Sequence, residues 1–595
     1  MSSHDSRYPT NTSDGKLFET LMIAAVLLAS VAVLSSYNAA DPDLWGHVQY
    51  GRDLLRDGLP ATTTYSYTAQ GYRWINHENL SEVMFAVGAD TIGIRGMLLV
   101  KSFLGLILAS LMLLYSQRKR VGMIAAGGCV LLAMLLIGFT WGLRPQLFSY
   151  FYFGLMIALL GWCFEGWEGR WHLPWLRMRP SGEEFIQVGL SYSPRRLRWL
   201  WACVPLFFLW ANTHGGFVAG FVLFAAYLLC RSVEALATRG HEGWGLVRRF
   251  LLMIAAGGCA TLINPYGPGL HLWMVQSLGY PRPEITEWWP PELINLTDAR
   301  ILCLWTIIVL FCTSLLFSRR PRDLTQMVLL GLTFWQSMEH QRHLPFFAIL
   351  FGFWMPPHVE GLLRRINSEQ PGGALEPQPM SWPIKLGLGG VLCGVLVLLA
   401  GSIWTKTRDM PVPRSDFPVT AIEYLKQHKI SGKMVVTYNW AQYVIAALGP
   451  KHAEDDGVLV GFDGRFRTCY PQEVVDMHFD FLIGDHYPKM RYRSPKSAPY
   501  DPTRVLEYKR PDLVLISRLQ EHSTATMQTQ RDDWILLYQD KLAQVWGARW
   551  KYGQRSSPDY IPQLQRHISN DPQQGVAAWP AVPESPLATK ILAAR

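Results

Sequence analysis

The sequence is short of charge. Only 17% of its 595 residues are Asp, Glu, Lys or Arg, against about 25% in an ordinary soluble domain. That deficit, beside 49% hydrophobic residues and 24 Trp, excludes a disordered chain and argues against a purely soluble one. A disulfide framework is also missing. Eight of the nine cysteines lie in or beside apolar blocks, where Cys behaves as a small hydrophobe. Cys469 alone falls in the polar C-terminal part and cannot pair internally. There is no CxxC or CxxH zinc spacing, no HExxH and no internal repeat. The net charge of +9 is not a nucleic-acid footprint, so no nucleic-acid partner is expected. Its Lys and Arg residues sit in short clusters beside apolar blocks, where topology signals lie.

What the chain does have is long apolar blocks. Residues 17–37 end without an A-x-A cleavage site and read as a retained membrane anchor. Further spans are expected at 97–116, 121–141, 145–163, 199–211, 216–230, 250–263, 301–317, 324–338, 344–356 and 384–404. Several fall short of the ~20 residues of a full crossing. The 199–230 and 324–356 blocks read as two short spans around a polar break, with one long tilted helix as the competing reading of each. Basic clusters at 117–120, 164–198 (with Arg170, Arg177 and Arg179), 231–249, 318–322 and around Arg364 and Arg365 then share one side. That holds for about eleven spans with the N-terminus in the cytoplasm, and it puts the C-terminal part outside. A multi-pass protein of the cytoplasmic (inner) membrane follows.

The domain reading comes from composition. Residues 1–16 are polar and expected to be disordered. Residues 17–404 form the membrane domain, with a long first outer loop at 38–96, and 367–381 read as a cytoplasmic linker before the last span. Short apolar runs at 434–438, 457–461, 512–516 and 534–538 read as buried strands. Helical stretches at 417–429, 439–448 and 471–483 lie between them, giving a small extracytoplasmic α/β domain over 405–550. Residues 551–595 are rich in Pro and Gln and read as a loose tail. The fold class is thus mainly α, a polytopic helical domain followed by a smaller α/β domain.

This topology collects unusual polar residues on the outer side, at the membrane edge, where ionisable groups are costly and face a cavity or each other. Asp41-Pro42-Asp43-Leu44-Trp45-Gly46-His47 opens the first outer loop. Pro42 stiffens the turn, and Asp43 is placed to cap the helix that follows. Asp41 is then the freer acid and stands slightly ahead of Asp43 as a candidate general base. The following helix is amphipathic through Trp45, Val48 and Leu55, with Arg52 and Arg56, and suits a membrane surface. Later in the loop come Asn76, His77, Glu78 and Glu82. The two Glu are four apart, on one helix face, and suit a cation or sugar hydroxyls. Glu339-His340-Gln341-Arg342-His343 is the most polar stretch between spans. Its two His are compatible with a shared metal, whereas Arg342 between them suits a phosphate. Arg144 departs from the positive-inside pattern, which points to a use other than topology. His214 interrupts a span beside Gly215 and Gly216, where a plain turn is the competing reading. Trp74, Trp288 and Trp289 suit sugar faces or an interfacial aromatic belt.

With these motifs the chain resembles the bacterial multi-pass glycosyltransferases of the GT-C superfamily, related to the dolichyl-phosphate-mannose protein mannosyltransferases. The resemblance rests on the Asp41–His47 motif, on Trp74-Ile75-Asn76-His77-Glu78 and on Asp463-Gly464-Arg465. By itself the last of these reads as a turn with an Asp–Arg pair. The resemblance implies a hexosyl- or pentosyltransferase that takes a sugar from a polyprenyl-phosphate donor. The acceptor would be a hydroxyl of a glycan, lipid or protein, with inversion and a first-loop acid, Asp41 or Asp43, as base. His47, Asn76, His77, Glu78, Arg144, His214, Trp288, Glu339, His340, Arg342 and His343 would bind substrate. No cofactor is fixed, and a divalent metal is left open. Other readings are a ligase that moves a whole glycan from a lipid pyrophosphate carrier, and a non-enzymatic transporter or envelope assembly protein. A transporter would more often show similar halves and ionisable residues in mid-helix, and neither is seen.

Overall fold

A computed structural model describes residues 12–167, 190–318, 320–368, 382–450, 456–485 and 490–583. The expectations for residues 1–11, for Arg170, Arg177, Arg179 and Arg319, for most of the 367–381 linker and for 584–595 lie outside the described residues.

A helix stands at each of the eleven expected positions: Thr12–Ser35, Gly93–Arg118, Met123–Gly138, Gln146–Cys163, Cys203–Thr213, Phe217–Arg239, Trp244–Thr261, Ala299–Phe317, Leu324–Glu339, Leu344–Trp354 and Trp382–Arg408. Both polar breaks are present, at His214–Gly216 and at His340–His343, so neither block is one long helix. Among the described residues, five segments are long and apolar enough to cross a membrane: Gly93–Arg118, Gln146–Cys163, Phe217–Thr261, Ala299–Phe317 and Trp382–Arg408. Gln341–Trp354 with Pro356–Asn367, bent by 57°, would make a sixth. The chain is a multi-pass membrane protein, mainly helical, with a small sheet domain at its C-terminal end.

Every residue of Leu344–Trp354 is buried. Among lipid tails apolar burial gives little drive, so close packing must hold the helices together. Gly154 shows this: a Cβ there would collide with the Leu108 side chain.

The sheet domain contains strands β1 (Pro411–Pro413), β2 (Gly432–Val436), β3 (Val458–Val460), β4 (Leu513–Ser517), β5 (Trp534–Gln539), β6 (Ala543–Ala548), β7 (His567–Ile568) and β8 (Val576–Ala578). Six form one sheet in the order β3-β2-β4-β6-β5-β7. β3, β2 and β4 are parallel, with Met434 opposite Leu513. β6 is antiparallel to both neighbours, with Val514 opposite Trp546. The four expected strands and three expected helices are all present.

One expectation is corrected. Residues 551–583, read as a loose tail, pack back onto the domain: β7 extends the sheet and β8 pairs with β1. The helix after Asp43, Leu44–Asp57, docks on the sheet domain through Trp45. Trp45 is buried against Phe417 and Tyr443, with ring centroids 5.0 Å from each, and its indole N–H donates to the Pro580 carbonyl at 2.7 Å. Amphipathic spacing says that one face is covered, not by what. Here the sheet domain covers Trp45, while Val48 packs in the core of the membrane helices and Leu55 is exposed. The first loop also reaches the sheet edge, where Val460 N–H donates to the Tyr65 carbonyl at 3.0 Å.

Candidate functional site

A cavity of about 440 Å³ lies where the first loop, the membrane helices and the sheet domain meet, within the usual size of a ligand site. Of the sequence-derived candidates, Asp43, His47, Asn76, His77, Glu78, Arg144, His214, Trp288, Arg342 and His343 line it.

The acid turn places its two carboxylates differently. Asp43 makes no side-chain cap on its helix. Asp41 does the local work instead, its Oδ1 accepting the Asp43 backbone N–H at 2.9 Å. Arg144 pairs closely with Asp41, bonds Glu287 Oε1 at 2.5 Å and stands 3.6 Å from Asp43 Oδ2. Asp41 is thus engaged outside the cavity, whereas Asp43 faces into it. The Asp43 side chain is 31% exposed, toward the cavity that it lines, yet the atoms around it still desolvate it. That burial outweighs Arg144, the Asp41 charge adds to it, and the carboxyl is pushed up to about 6.

Beside it the first loop supplies a charged cluster. Glu82, 2% exposed, accepts Asn76 Nδ2–H at 2.5 Å and faces His47 Nδ1 at 3.4 Å. Burial works against a charge on His47, but the hydrogen bond to Glu82 and the charges of Glu78, Glu82 and Asp43 prevail, pushing it up to about 9. Glu78 lies 3.6 Å from His214 Nε2 and 3.8 Å from His77 Nε2. Burial alone would raise Glu78, but His77, His47, His214 and Arg342 hold it below the usual carboxylate range. His214 is pushed down to about 3, chiefly by burial. Gly216 N–H donates to its Nδ1 at 3.0 Å and the Ser149 hydroxyl lies 2.7 Å from the same atom. The ring is therefore neutral, with its proton on Nε2, toward Glu78.

One ligand atom each from His47, Glu78 and Glu82 falls within a 4.8 Å group. An imidazole with two carboxylates fits a divalent cation, provided His47 gives up its proton on binding. His340 and His343, compatible by spacing with a shared metal, belong to no candidate group of three or more ligands among the described residues. His340 does not line the cavity, and its Nδ1 lies 2.6 Å from the Trp288 carbonyl, where it is taken up. Glu339 is exposed and away from the cavity. Trp289 is anchored through its indole N–H to the Pro283 carbonyl at 2.8 Å.

The opposite wall is cationic. Arg342 and Arg282 both lie over Trp288, 4.3 and 4.7 Å from its ring centroid. The sheet domain adds Gln442, Gly464, Arg465, Arg467 and Thr468. Arg465 joins fully buried Asp463 at 2.6 Å, and Tyr470 O–H donates to the same carboxylate at 2.7 Å. The guanidinium lies against Tyr50, Tyr65 and Trp74 at 4.7, 5.2 and 4.5 Å. Gly464 is needed for the close approach, since a Cβ there would run into Asp43 and Gln442.

Sequence reasoning missed Gln442, Arg282 and Arg467. Arg282 carried a usable signal, an arginine in a loop that the topology puts outside, as for Arg144. Arg467 lies two residues beyond Arg465 in a motif already singled out. Gln442 carried no signal.

No family model and no curated protein matches this sequence. Solved structures to which the chain is similar include the oligosaccharyltransferase AglB from Archaeoglobus fulgidus in complex with an inhibitory peptide and a dolichol-phosphate. It is 10% identical over 88% of this chain and 73% of that one, with a TM-score of 0.49. ArnT from Cupriavidus metallidurans bound to undecaprenyl phosphate is 13% identical over 93% and 100%, with a TM-score of 0.48. The arabinofuranosyltransferase AftD from Mycobacteria is 12% identical over 90% and 40%, with a TM-score of 0.41.

Proposed function

We propose that this chain is a membrane glycosyltransferase of the GT-C type. It transfers a sugar from a polyprenyl-phosphate-linked donor to an acceptor hydroxyl on the outer face of the cytoplasmic membrane, with inversion. The reading includes eleven spans, a cytoplasmic N-terminus, a membrane domain at 17–404 and an extracytoplasmic sheet domain after it. One observation carries it: Asp43, a carboxyl poised near 6, shares a cavity with the guanidinium of Arg342. A general base works best with a pKa near the operating pH, and a guanidinium suits phosphoryl oxygens.

Asp43 accepts the proton of the acceptor hydroxyl as its oxygen bonds to the anomeric carbon. The bond from that carbon to the phosphate oxygen breaks, and its electron pair stays with the polyprenyl phosphate. Arg342 holds the phosphate as its charge grows. Val218, Ala219, Met274, Leu278 and Phe346 give the cavity an apolar side that suits a prenyl chain. Trp288 holds the guanidiniums of Arg342 and Arg282 over its ring at the cavity wall. A divalent cation on His47, Glu78 and Glu82 would supply further charge stabilisation at the phosphoryl group.

Membranes containing the protein are to be assayed with radiolabelled polyprenyl-phosphate sugars. Covalent transfer that disappears in Asp43→Asn, with the variant inserted and folded, is the expected result. Uptake of substrate without covalent transfer would instead make the chain a transporter.

A further inference from the structure

The helix Gln146–Cys163 borders a cavity at each end. Gln146 lines the one already described, and Trp162 lines a second of about 360 Å³. The rise of an α-helix puts about 24 Å between these two residues, so the cavities open toward opposite leaflets. The second is a groove between this helix and Gly93–Arg118, both long and apolar enough to cross a membrane. Leu111, Leu114, Leu155, Ala158 and Leu159 line its apolar stretch, and Leu114 is 52% exposed. From Leu111 to Arg118 the helix rises about 10 Å, most of the about 15 Å of hydrocarbon in one leaflet. Gly161 lets the Tyr115 ring pack close at the groove's mouth, since a Cβ there would stand 2.6 Å from it.

The rim at that mouth is cationic. Arg118, Lys119, Trp162 and Glu165 line it. Glu165 is taken up by Arg196 at 2.8 Å, whereas Arg118 and Lys119 have no carboxylate within 4.0 Å among the described residues. The guanidinium of Arg118 lies over Trp162, 4.4 Å from the ring centroid, and that of Arg196 lies 4.8 Å from it. A guanidinium held on an indole keeps N–H edges free for oxygens. Topology accounts for basic residues at this end of the helices. It does not account for an apolar groove that begins beside them, nor for an arginine fixed over the groove's aromatic edge.

An occupant has to bring an apolar chain to the groove and a negative group to Arg118 and Lys119. A soluble peptide would leave backbone N–H and C=O groups unsatisfied at hydrocarbon depth. A zwitterionic lipid would set its own cation among those of Arg118, Lys119 and Arg196. We propose that this groove binds an anionic glycerophospholipid of the leaflet opposite the first cavity, with its acyl chain along Leu111, Leu114, Leu155 and Leu159 and its phosphate on Arg118 and Lys119. The site needs only that the chain spans a membrane, and it is independent of the proposed sugar transfer.

The test uses the purified full-length protein in bilayer discs of phosphatidylcholine. Trace phosphatidylglycerol or phosphatidylcholine, each with the same photoreactive acyl chain, is activated, and the labelled residues are mapped by mass spectrometry. Labelling at Leu111, Leu114, Leu155 and Leu159 is counted relative to Val397 and Leu398, which are exposed on the last helix. Phosphatidylglycerol is expected to label the groove about tenfold more than phosphatidylcholine, as two such cations at a membrane surface imply. Arg118→Gln combined with Lys119→Gln should bring that ratio toward one. Equal labelling by the two lipids in the unaltered protein makes the groove ordinary lipid-facing surface and overturns the site. Labelling by neither means that another part of the chain fills the groove, and overturns it equally. A photoreactive polyprenyl monophosphate that labels the groove as strongly as phosphatidylglycerol would make the occupant a carrier lipid instead. A ratio unchanged in the folded double variant removes the assignment of the phosphate to Arg118 and Lys119. The first comparison needs no variant, so a folding defect cannot obscure it.

Discussion

Asp41 accepts the backbone N–H of Asp43 at 2.9 Å, so the first carboxylate of the turn holds the second in place. Two acids in one short motif therefore have different tasks. One is spent on the backbone and on Arg144, and the other faces the cavity.

The two should separate on mutation. Asp43→Asn is expected to cost about 10²–10⁴-fold in transfer rate, the usual loss of a general base. Asp41→Asn keeps an oxygen for the Asp43 N–H but frees Arg144, which stands 3.6 Å from Asp43. Its loss should be smaller. Equal losses, measured as initial rates in membranes with matched protein amounts, would end this division of labour.

The pH dependence follows from the Asp43 carboxyl at about 6. Below that pH the group is protonated and cannot take a proton, so transfer should rise through pH 6 and level off above it. In Asp41→Asn the freed Arg144 charge favours the ionised carboxylate, and the rising limb should move to lower pH. A rate–pH profile that moves upward, or does not move, contradicts the arrangement.

Arg342→Lys should weaken use of the donor although the charge is kept. Lys is a point charge that cannot bond two phosphoryl oxygens in parallel or stack flat on Trp288. Arg342→Ala should be worse. Donor-dependence curves decide: an apparent affinity unchanged in the Lys variant would make Arg342 an interfacial anchor, because Lys snorkels equally well.

Arg465→Ala should destabilise the protein by roughly 3–5 kcal/mol, because it strands the fully buried Asp463 without a counter-charge. A thermal melt of the purified chain, together with protease sensitivity of the sheet domain, reads this out. A melting temperature within experimental error of the unaltered protein would rule out a docking role for this pair.

Orientation is testable by reporter fusions. A reporter after Arg120 or Arg322 should read cytoplasm, and one after Thr407 the outer side, because eleven spans would put the basic clusters on one face. A cytoplasmic signal after Thr407 would remove the outer-face site.

The helices and four strands were legible because each is an apolar run of characteristic length between turn residues. β6 was not. Its sequence, Ala543-Gln544-Val545-Trp546-Gly547-Ala548, is poor in β-branched residues, and it is a strand because β4 and β5 flank it. At the site, the first-loop residues announced themselves as polar groups beside apolar blocks. Which of Asp41 and Asp43 lines the cavity was not legible, because capping preference describes a residue's type and not which neighbour has already taken the N–H. Gln442 and Arg467 reach the cavity by tertiary docking, which no local pattern records.

The interlock between the first loop and the sheet domain also sets an order of assembly. Trp45 and its acceptor Pro580 are 535 residues apart, and Tyr50, Tyr65 and Trp74 leave the ribosome long before Arg465 exists to cover them. Until then an aromatic surface stands open to water beside a half-built cavity. The cavity is thus among the last parts of the molecule to form, and a chain that stalls before the sheet domain would have the helices of the membrane bundle and an incomplete cavity.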